Sequence, residues 1–308
     1  MWFIYAAAAA TCFGLRGILY QWTSQRPLDR NLLLFGVYLS GTLIALGMNL
    51  FMGQPWTGGV LIGLLMGLFS FIANAAMYKG YAVGKASLIA LFTGLPPVVV
   101  VIVAYLLWGE TLNGWQLASF AVVILGLLLI KYSQDLKLGK LKGVQWGLLT
   151  LLFFAFTDLS SKQATLAGAA TLPVLAVMYG TGAVLFGTVW ASGRLQAAGQ
   201  VVHTAAALDD QAAPAAALLP TTEVAGSWSS GRTFAWGMFV GISNIAGMLF
   251  MIPALREGVT GIVSAIAAMN VVFVLLYARF YLKELMARRE VVGLALALGG
   301  IVLLRVLA

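Results

Sequence analysis

Charged residues are scarce in this sequence. Of 308 residues, 9% are Asp, Glu, Lys or Arg, whereas 61% are apolar; a soluble domain carries roughly 25% charged residues. A folded soluble chain of this composition has too little polar surface to cover itself. That excludes a soluble enzyme, a nucleic-acid-binding domain and a disordered regulator. The single cysteine, Cys12, excludes an intramolecular disulfide and a cysteine-based metal centre. The single histidine, His203, excludes a site built on two imidazoles. No His-Glu-x-x-His pair, intramembrane carboxylate pair or elbow serine occurs, so the sequence indicates no enzyme and calls for no cofactor and no metal. The net charge of +8 does not indicate nucleic acid, because the basic residues fall in short clusters between long apolar runs.

Those runs are what the sequence has in abundance. A bilayer-spanning helix needs roughly 20 mostly apolar residues, and ten such runs are readable, at about 2–21, 32–52, 60–78, 86–108, 113–130, 143–161, 172–190, 234–254, 260–281 and 290–307. They are continuous rather than alternating in polarity, so helices are expected and a barrel is not. The first run has no positive segment ahead of it and is read as a permanent span, not a signal peptide. Of the nine connections eight are short. The exception, about 191–233, is rich in Ala, contains Pro214 and Pro220, and reads as an extramembrane loop holding His203, Asp209, Asp210 and Glu223.

The two halves of the chain repeat. Gly84-Lys85-Ala86-Ser87, Pro97-Val98-Val99, Glu110 and Gly126 lie about 174 residues ahead of Gly258-Val259-Thr260-Gly261, Val271-Val272-Phe273, Glu284 and Gly300. At the same offset the pair Gly63 and Gly67 falls on Gly237 and Gly241, a spacing that lets helices approach closely in lipid. Earlier in the chain the offset is about 142, placing Arg16 opposite Asp158. The difference, about 32 residues, is the long loop. Five spans per half is an odd number, so the second half enters from the opposite side. The expected fold is an all-α polytopic membrane protein of about ten transmembrane helices in two inverted five-helix repeats, residues 1–141 and 142–308. The second repeat carries the insertion at about 191–233. Such halves suit alternating access, with a site between them near the midplane.

The run Ala82-Val83-Gly84-Lys85-Ala86-Ser87, then Leu95-Pro96-Pro97-Val98 and Trp108-Gly109-Glu110-Thr111-Leu112, with Gln116 and Gly126, resembles the signature of the EamA-like family of the drug/metabolite transporter superfamily. Gly258, Lys283-Glu284-Leu285, Gly293 and Gly300 resemble it less closely in the second half. The resemblance implies a carrier with a central cavity lined chiefly by spans 1, 3, 4, 6, 8 and 9, and it favours export over import.

Ionisable groups inside a span are costly and are functional candidates by default. Arg16 and Asp158 are the two that sit clearly inside spans. Either they form opposite poles of a cavity for a polar or zwitterionic solute, or each anchors its own helix end. Each lies about five residues, or roughly 8 Å, from the end of its span, which leaves about 15 Å between them across a core roughly 30 Å thick. A direct salt bridge is not expected. Asn74, Tyr78, Ser87 and Thr93 in the first half, and Asn244, Ser264 and Asn270 in the second, are polar cavity candidates. Pro96 and Pro97 are hinge candidates, expected to kink the fourth span from within. Met248, Met251 and Met269 read as packing, and Glu110 as the start of the next helix.

With no ATP-binding loop, transport has to draw on a gradient, and Asp158 is the one carboxylate placed deeply enough to carry a proton. The expected partners are the lipid bilayer and a small organic solute such as an amino acid, metabolite or drug. No nucleic acid is involved, and a monomer is compatible with the sequence. A lipid-linked-substrate flippase and a non-transporting membrane scaffold are the alternative functions. The location is a bacterial-type inner membrane. Fourteen Lys and Arg residues fall on the side holding the odd-numbered connections and three on the other, Lys162, Arg256 and Arg305. The positive-inside rule then puts both termini outside, whereas members of the resembled family are commonly described with both inside. An alkaline phosphatase fusion at Ala308 is expected to be active and a fluorescent-protein fusion there dark; the reverse pattern overturns this orientation.

Overall fold

The chain is seen in a computed structural model that describes residues 1–24, 26–83, 89, 92–131, 143–209, 228–281, 283 and 288–306. Within these the side chains of 21, 24, 78, 81, 82, 131, 197–209 and 278 are not described. The described part is helical. The order is α1 Trp2–Ser24, α2 Arg30–Met52, a 3-10 turn Gly58–Leu61, α3 Ile62–Val83, α4 Pro96–Trp108, α5 Gly114–Lys131 and α6 Val144–Leu166. It continues through α7 Thr171–Asp209, α8 Ser230–Glu257, α9 Thr260–Ala267, α10 Asn270–Phe280 and α11 Arg288–Val306. Seven stretches are long and apolar enough to cross a membrane: Trp2–Tyr20, Arg30–Met52, Gly58–Met77, Val144–Leu166, Thr171–Gln196, Ser230–Glu257 and Thr260–Tyr277. Pro96–Trp108 and Gly114–Ile130 are apolar but shorter. Large apolar side chains such as Leu50, Phe51 and Leu106 face outward, as expected of a surface that meets lipid.

Local chemistry explains where several helices begin and end. Asp29 caps α2, its carboxylate accepting from the amides of Asn31 at 2.9 Å and Leu32 at 3.2 Å, and Gly53 ends it in the left-handed region at φ 61°. Ser229 caps α8 by accepting from the Arg232 amide. The helix α7 departs from expectation. Its 39 residues make a rod about 58 Å long, so 191–209 continue the helix rather than form a loop. Residues 210–227, including Pro214, Pro220 and Glu223, lie outside the described residues.

The fourth span departs too. Pro96 and Pro97 occupy the first positions of α4, after a turn at Gly94 and Leu95. A proline there forfeits no intrahelical bond, so the expected kink within a helix is instead a break between helical segments. The second half is broken as well, at Ala268 and Met269 between α9 and α10, and no proline stands there. The two breaks are 174 residues apart, the offset of the repeat. A break of this kind therefore forms both with proline after it and without.

Close helix contacts are made by glycines in lipid-type packing. Gly63 and Gly67 of α3 lie against the carbonyls of Val174 and Met178 of α7, where an added Cβ would come within 2.7 and 2.5 Å. Gly237 and Gly241 of α8 lie in the same way against the carbonyls of Leu33 and Val37 of α2. Between α2 and α7, Tyr179 packs on Gly41 and Tyr38 on Gly182. Gly126 of α5 faces Gly293 and Ala297 of α11, and Gly300 of α11 faces Ser119 and Val123 of α5. Replacing Gly63 or Gly237 by Val sets a branched side chain against a backbone carbonyl that cannot swing away. We expect a loss of about 1–3 kcal/mol, read as a lower midpoint in thermal unfolding of the detergent-solubilised protein. Gly47→Ala, with no neighbour within 4 Å, is the control and should not lower it.

Candidate functional site

The intramembrane charges are held by polar partners, not by each other. Arg16 on α1 donates from Nη1 to Asn244 Oδ1 on α8 at 2.6 Å. Its guanidinium lies 4.8 Å from the centre of the Phe13 ring and 6.0 Å from that of Tyr20. Asp158 on α6 accepts from Ser264 Oγ on α9 at 2.6 Å. Thus four of the residues expected from the sequence come together in two pairs. A third group joins α2 to α3: Tyr38 Oη lies 2.5 Å from Ser70 Oγ, and Asn74 donates to Tyr38 Oη at 3.2 Å and to the Ser70 carbonyl at 2.8 Å. Asn74 is therefore occupied by a helix–helix network. Tyr179 of α7 packs against Tyr38, with ring centroids 5.6 Å apart and planes tilted by 54°. Its hydroxyl is buried and has no hydrogen-bond partner among the described residues.

Thr93 is half-buried beside the first-half break, and Asn270 is half-buried at the start of α10 beside the second. Ser87 and Glu284 lie outside the described residues, and Tyr78 is on α3 with its side chain undescribed. Met248, Met251 and Met269 are buried in the main apolar core. Among the described residues no group of three or more His, Cys, Asp or Glu is placed to hold a metal ion.

A buried ion pair was not foreseen from the sequence. Lys162, at the end of α6, is 7% exposed. Its Nζ lies 3.2 Å from Glu110 Oε1 and donates to the carbonyls of Leu255 at 2.8 Å and Gly258 at 3.2 Å. Glu110 also accepts from the Thr260 amide at 2.7 Å and hydroxyl at 2.8 Å. Glu110 was expected to begin the next helix in sequence; it caps α9 instead. A carboxylate is favoured at either helix start, and only the fold brings the second one near. The missed members, Lys162, Tyr38 and Tyr179, were hidden because one read as a loop cation and the others as span residues among many aromatics.

The same face gathers both chain ends. The Met1 amine lies 3.8 Å from Glu257, and the Arg305 guanidinium 5.5 Å from the Phe3 ring centre. The opposite face has an Arg–Trp cluster: Arg26 over Trp22 at 3.8 Å, Arg232 over Trp228 at 4.3 Å, and Trp236 Nε1 donating to Thr23 Oγ1 at 2.9 Å. Such residues suit a membrane–water boundary. An apolar groove of about 430 Å³ runs outside the α2–α7 seam past Phe35, Leu39, Ala183 and Val184. It includes none of the polar groups above.

A polytopic helical bundle with charges tucked between its helices is the architecture of a membrane transport protein, and comparison with known proteins agrees. The EamA-like transporter family model matches residues 1–132 and 212–306. The chain belongs to that family, a family of transporters rather than enzymes. A solved crystal structure, described only as that of a protein, is 15% identical and aligns over 100% of this chain and 99% of its own with a TM-score of 0.72. It shows a shared fold. No curated protein matches.

Removing one partner of the Lys162–Glu110 pair leaves a buried charge uncompensated. Lys162→Met is expected to cost about 3–5 kcal/mol, seen as a lower unfolding midpoint. The double variant Lys162→Met/Glu110→Gln should recover part of that loss.

Proposed function

We propose that this protein is a secondary-active carrier of small organic solutes that works by alternating access between two inverted five-helix halves, residues 1–141 and 142–308. The observation that carries the reading is the reciprocity of its contacts. Gly63 and Gly237 differ by 174 in number, and the carbonyls they meet, at Val174 and Leu33, differ by 141. Gly67 and Gly241, with Met178 and Val37, repeat the relation. So do Gly41 with Tyr179 and Gly182 with Tyr38, and Gly126 with Gly300 across α5 and α11. Contacts of this kind are what a two-fold axis in the membrane plane produces. Ten spans follow if α4, α5 and α11 cross along with the seven longer stretches, α9 and α10 counting as one broken span.

Two near-equivalent halves exchange two packings of similar energy around a site at their junction. The broken spans suit that site, because a helix break inside a bundle exposes backbone groups to a solute. One face is tied shut across the halves. Glu110 of the first half joins Lys162 and Thr260 of the second, and Gln54 Oε1 accepts from the Leu172 amide at 2.8 Å. The described packing therefore corresponds to closure on the face of the chain termini, which the charge distribution assigns to the outside. Opening there requires the Glu110–Lys162 tie to part. Arg16 and Asp158 serve as the poles of the cavity, and export is the direction favoured by the family resemblance. Proton coupling, if present, has Asp158 as its carrier.

The test is flux. Cells or proteoliposomes with the protein should move members of a metabolite and toxicant panel that controls do not. Arg16→Ala and Asp158→Ala are each expected to lower that flux by roughly tenfold or more, as losing a charge-assisted hydrogen bond predicts, with expression unchanged. Wild-type flux in both variants overturns the assignment of the poles.

A further inference from the structure

The apolar groove outside the α2–α7 seam ends beside the Arg–Trp cluster. Its volume is about 430 Å³, and it runs from Thr42 and Gly180 to Phe35, Gly187 and Ala191. Gly180 and Ala191 lie about 16 Å apart along the axis of α7, close to half of a hydrocarbon core roughly 30 Å thick. The groove therefore has the depth of one leaflet. The two hydroxyls in its wall are spent within their own helices, Thr42 donating to the Tyr38 carbonyl at 2.9 Å and Thr188 to that of Leu185 at 2.8 Å. Glycine supplies the room: a Cβ added at Gly180 would meet Thr42 Cγ2 alone, at 3.8 Å.

The end at Phe35 is charged. The Phe35 ring stacks on Trp190, centroids 6.4 Å apart and planes at 9°, and packs on Phe234 at 5.6 Å. The Arg194 guanidinium lies 5.7 Å from the centre of the Trp190 ring and donates to Ser230 Oγ at the start of α8. Two residues on, Arg232 lies 4.3 Å from the centre of the Trp228 ring, and Arg26 lies 5.5 Å from the same ring. All three arginines are exposed, and among the described residues no carboxylate pairs with them. Asp29, close in sequence to Arg26, is held by the amides of its own helix.

We infer that this groove is a binding site for an anionic phospholipid, with one acyl chain lying between α2 and α7 and the headgroup phosphate on Arg194 and Arg232. An empty groove facing lipid forfeits dispersion contacts, so an acyl chain fills it in the bilayer. The arginines decide which lipid that chain belongs to. Guanidinium donors match phosphate oxygens, and basic pockets between transmembrane helices hold anionic headgroups in this way. A zwitterionic lipid brings the same phosphate, but its ammonium end meets Arg26. The inference is independent of the carrier reading.

The experiment titrates the full chain in neutral detergent with dioleoyl phosphatidylglycerol or dioleoyl phosphatidylcholine. Bound lipid is counted by native mass spectrometry, and the unfolding midpoint is followed in parallel. Phosphatidylglycerol is expected to bind more tightly than phosphatidylcholine and to raise the midpoint. The double variant Arg194→Gln/Arg232→Gln should weaken the tightest phosphatidylglycerol by roughly 10–30-fold and leave phosphatidylcholine as before. Gly180→Leu, which sends a side chain into the groove, should weaken both lipids about threefold to tenfold without lowering the midpoint of the lipid-free protein. Should that midpoint fall, Val184→Trp takes its place, filling the groove from a position that is 65% exposed. Equal affinity for the two lipids, or phosphatidylglycerol binding unchanged in the arginine variant, would overturn the inference. So would wild-type lipid binding in a folded groove-filling variant. Displacement of the lipid by an equal concentration of glycerol phosphate would overturn it too, by showing an anion site in which the acyl chain plays no part.

Discussion

In a bilayer, helices gain little by hiding apolar side chains from one another, since the lipid is as apolar as they are. Association rests on how closely the backbones pack and on the polar groups they share. That constraint organises this protein. Glycines at Gly63, Gly67, Gly237 and Gly241 let α3 and α8 sit directly on carbonyls of α7 and α2, and Gly41 and Gly182 make room for the two tyrosines between α2 and α7. The helices α5 and α11 form a separate pair, packed on each other through Gly126, Gly293 and Gly300.

The polar groups inside the bundle obey the same economy of partners. Four of them have a neighbour on another element: Arg16 has Asn244, Asp158 has Ser264, Tyr38 has Ser70 and Asn74, and Lys162 has Glu110 and two carbonyls. The satisfied groups differ in what they hold. Lys162 and Glu110 tie α6 to the segment after α4 and to the start of α9 at the face of the termini. Arg16 bonds to Asn244 and lies over the Phe13 ring, with no carboxylate against it among the described residues.

Much of the fold was readable in advance because its signals are local or periodic. Apolar runs of membrane length gave helices at most of the expected places, and the repeat offsets picked out glycine pairs that do make close contacts. Asp29 and Gly53 mark their helix ends by short-range chemistry. Where the reading failed, the deciding contacts were remote. Pro96 and Pro97 look like a kink in a span, yet the equivalent break at Ala268 and Met269 contains no proline. Residues 191–209 have loop-like neighbours in sequence but continue a helix. Glu110 could cap one of two helix starts, and the one it caps lies 150 residues away.

What the sequence determined by itself was the class of protein: apolar length, scarce charge and duplicated glycine pairs require a multi-helix bundle in lipid, because no other environment accepts that composition. It also named the charges that such a bundle has to accommodate. Which partner each charge received was decided only in three dimensions. Hydrogen bonds act over about 3 Å, whereas the residues they join here, such as Arg16 with Asn244 or Lys162 with Gly258, are separated by 228 and 96 positions in the chain. Nothing in the spacing of residues encodes contacts of that kind until the helices have packed.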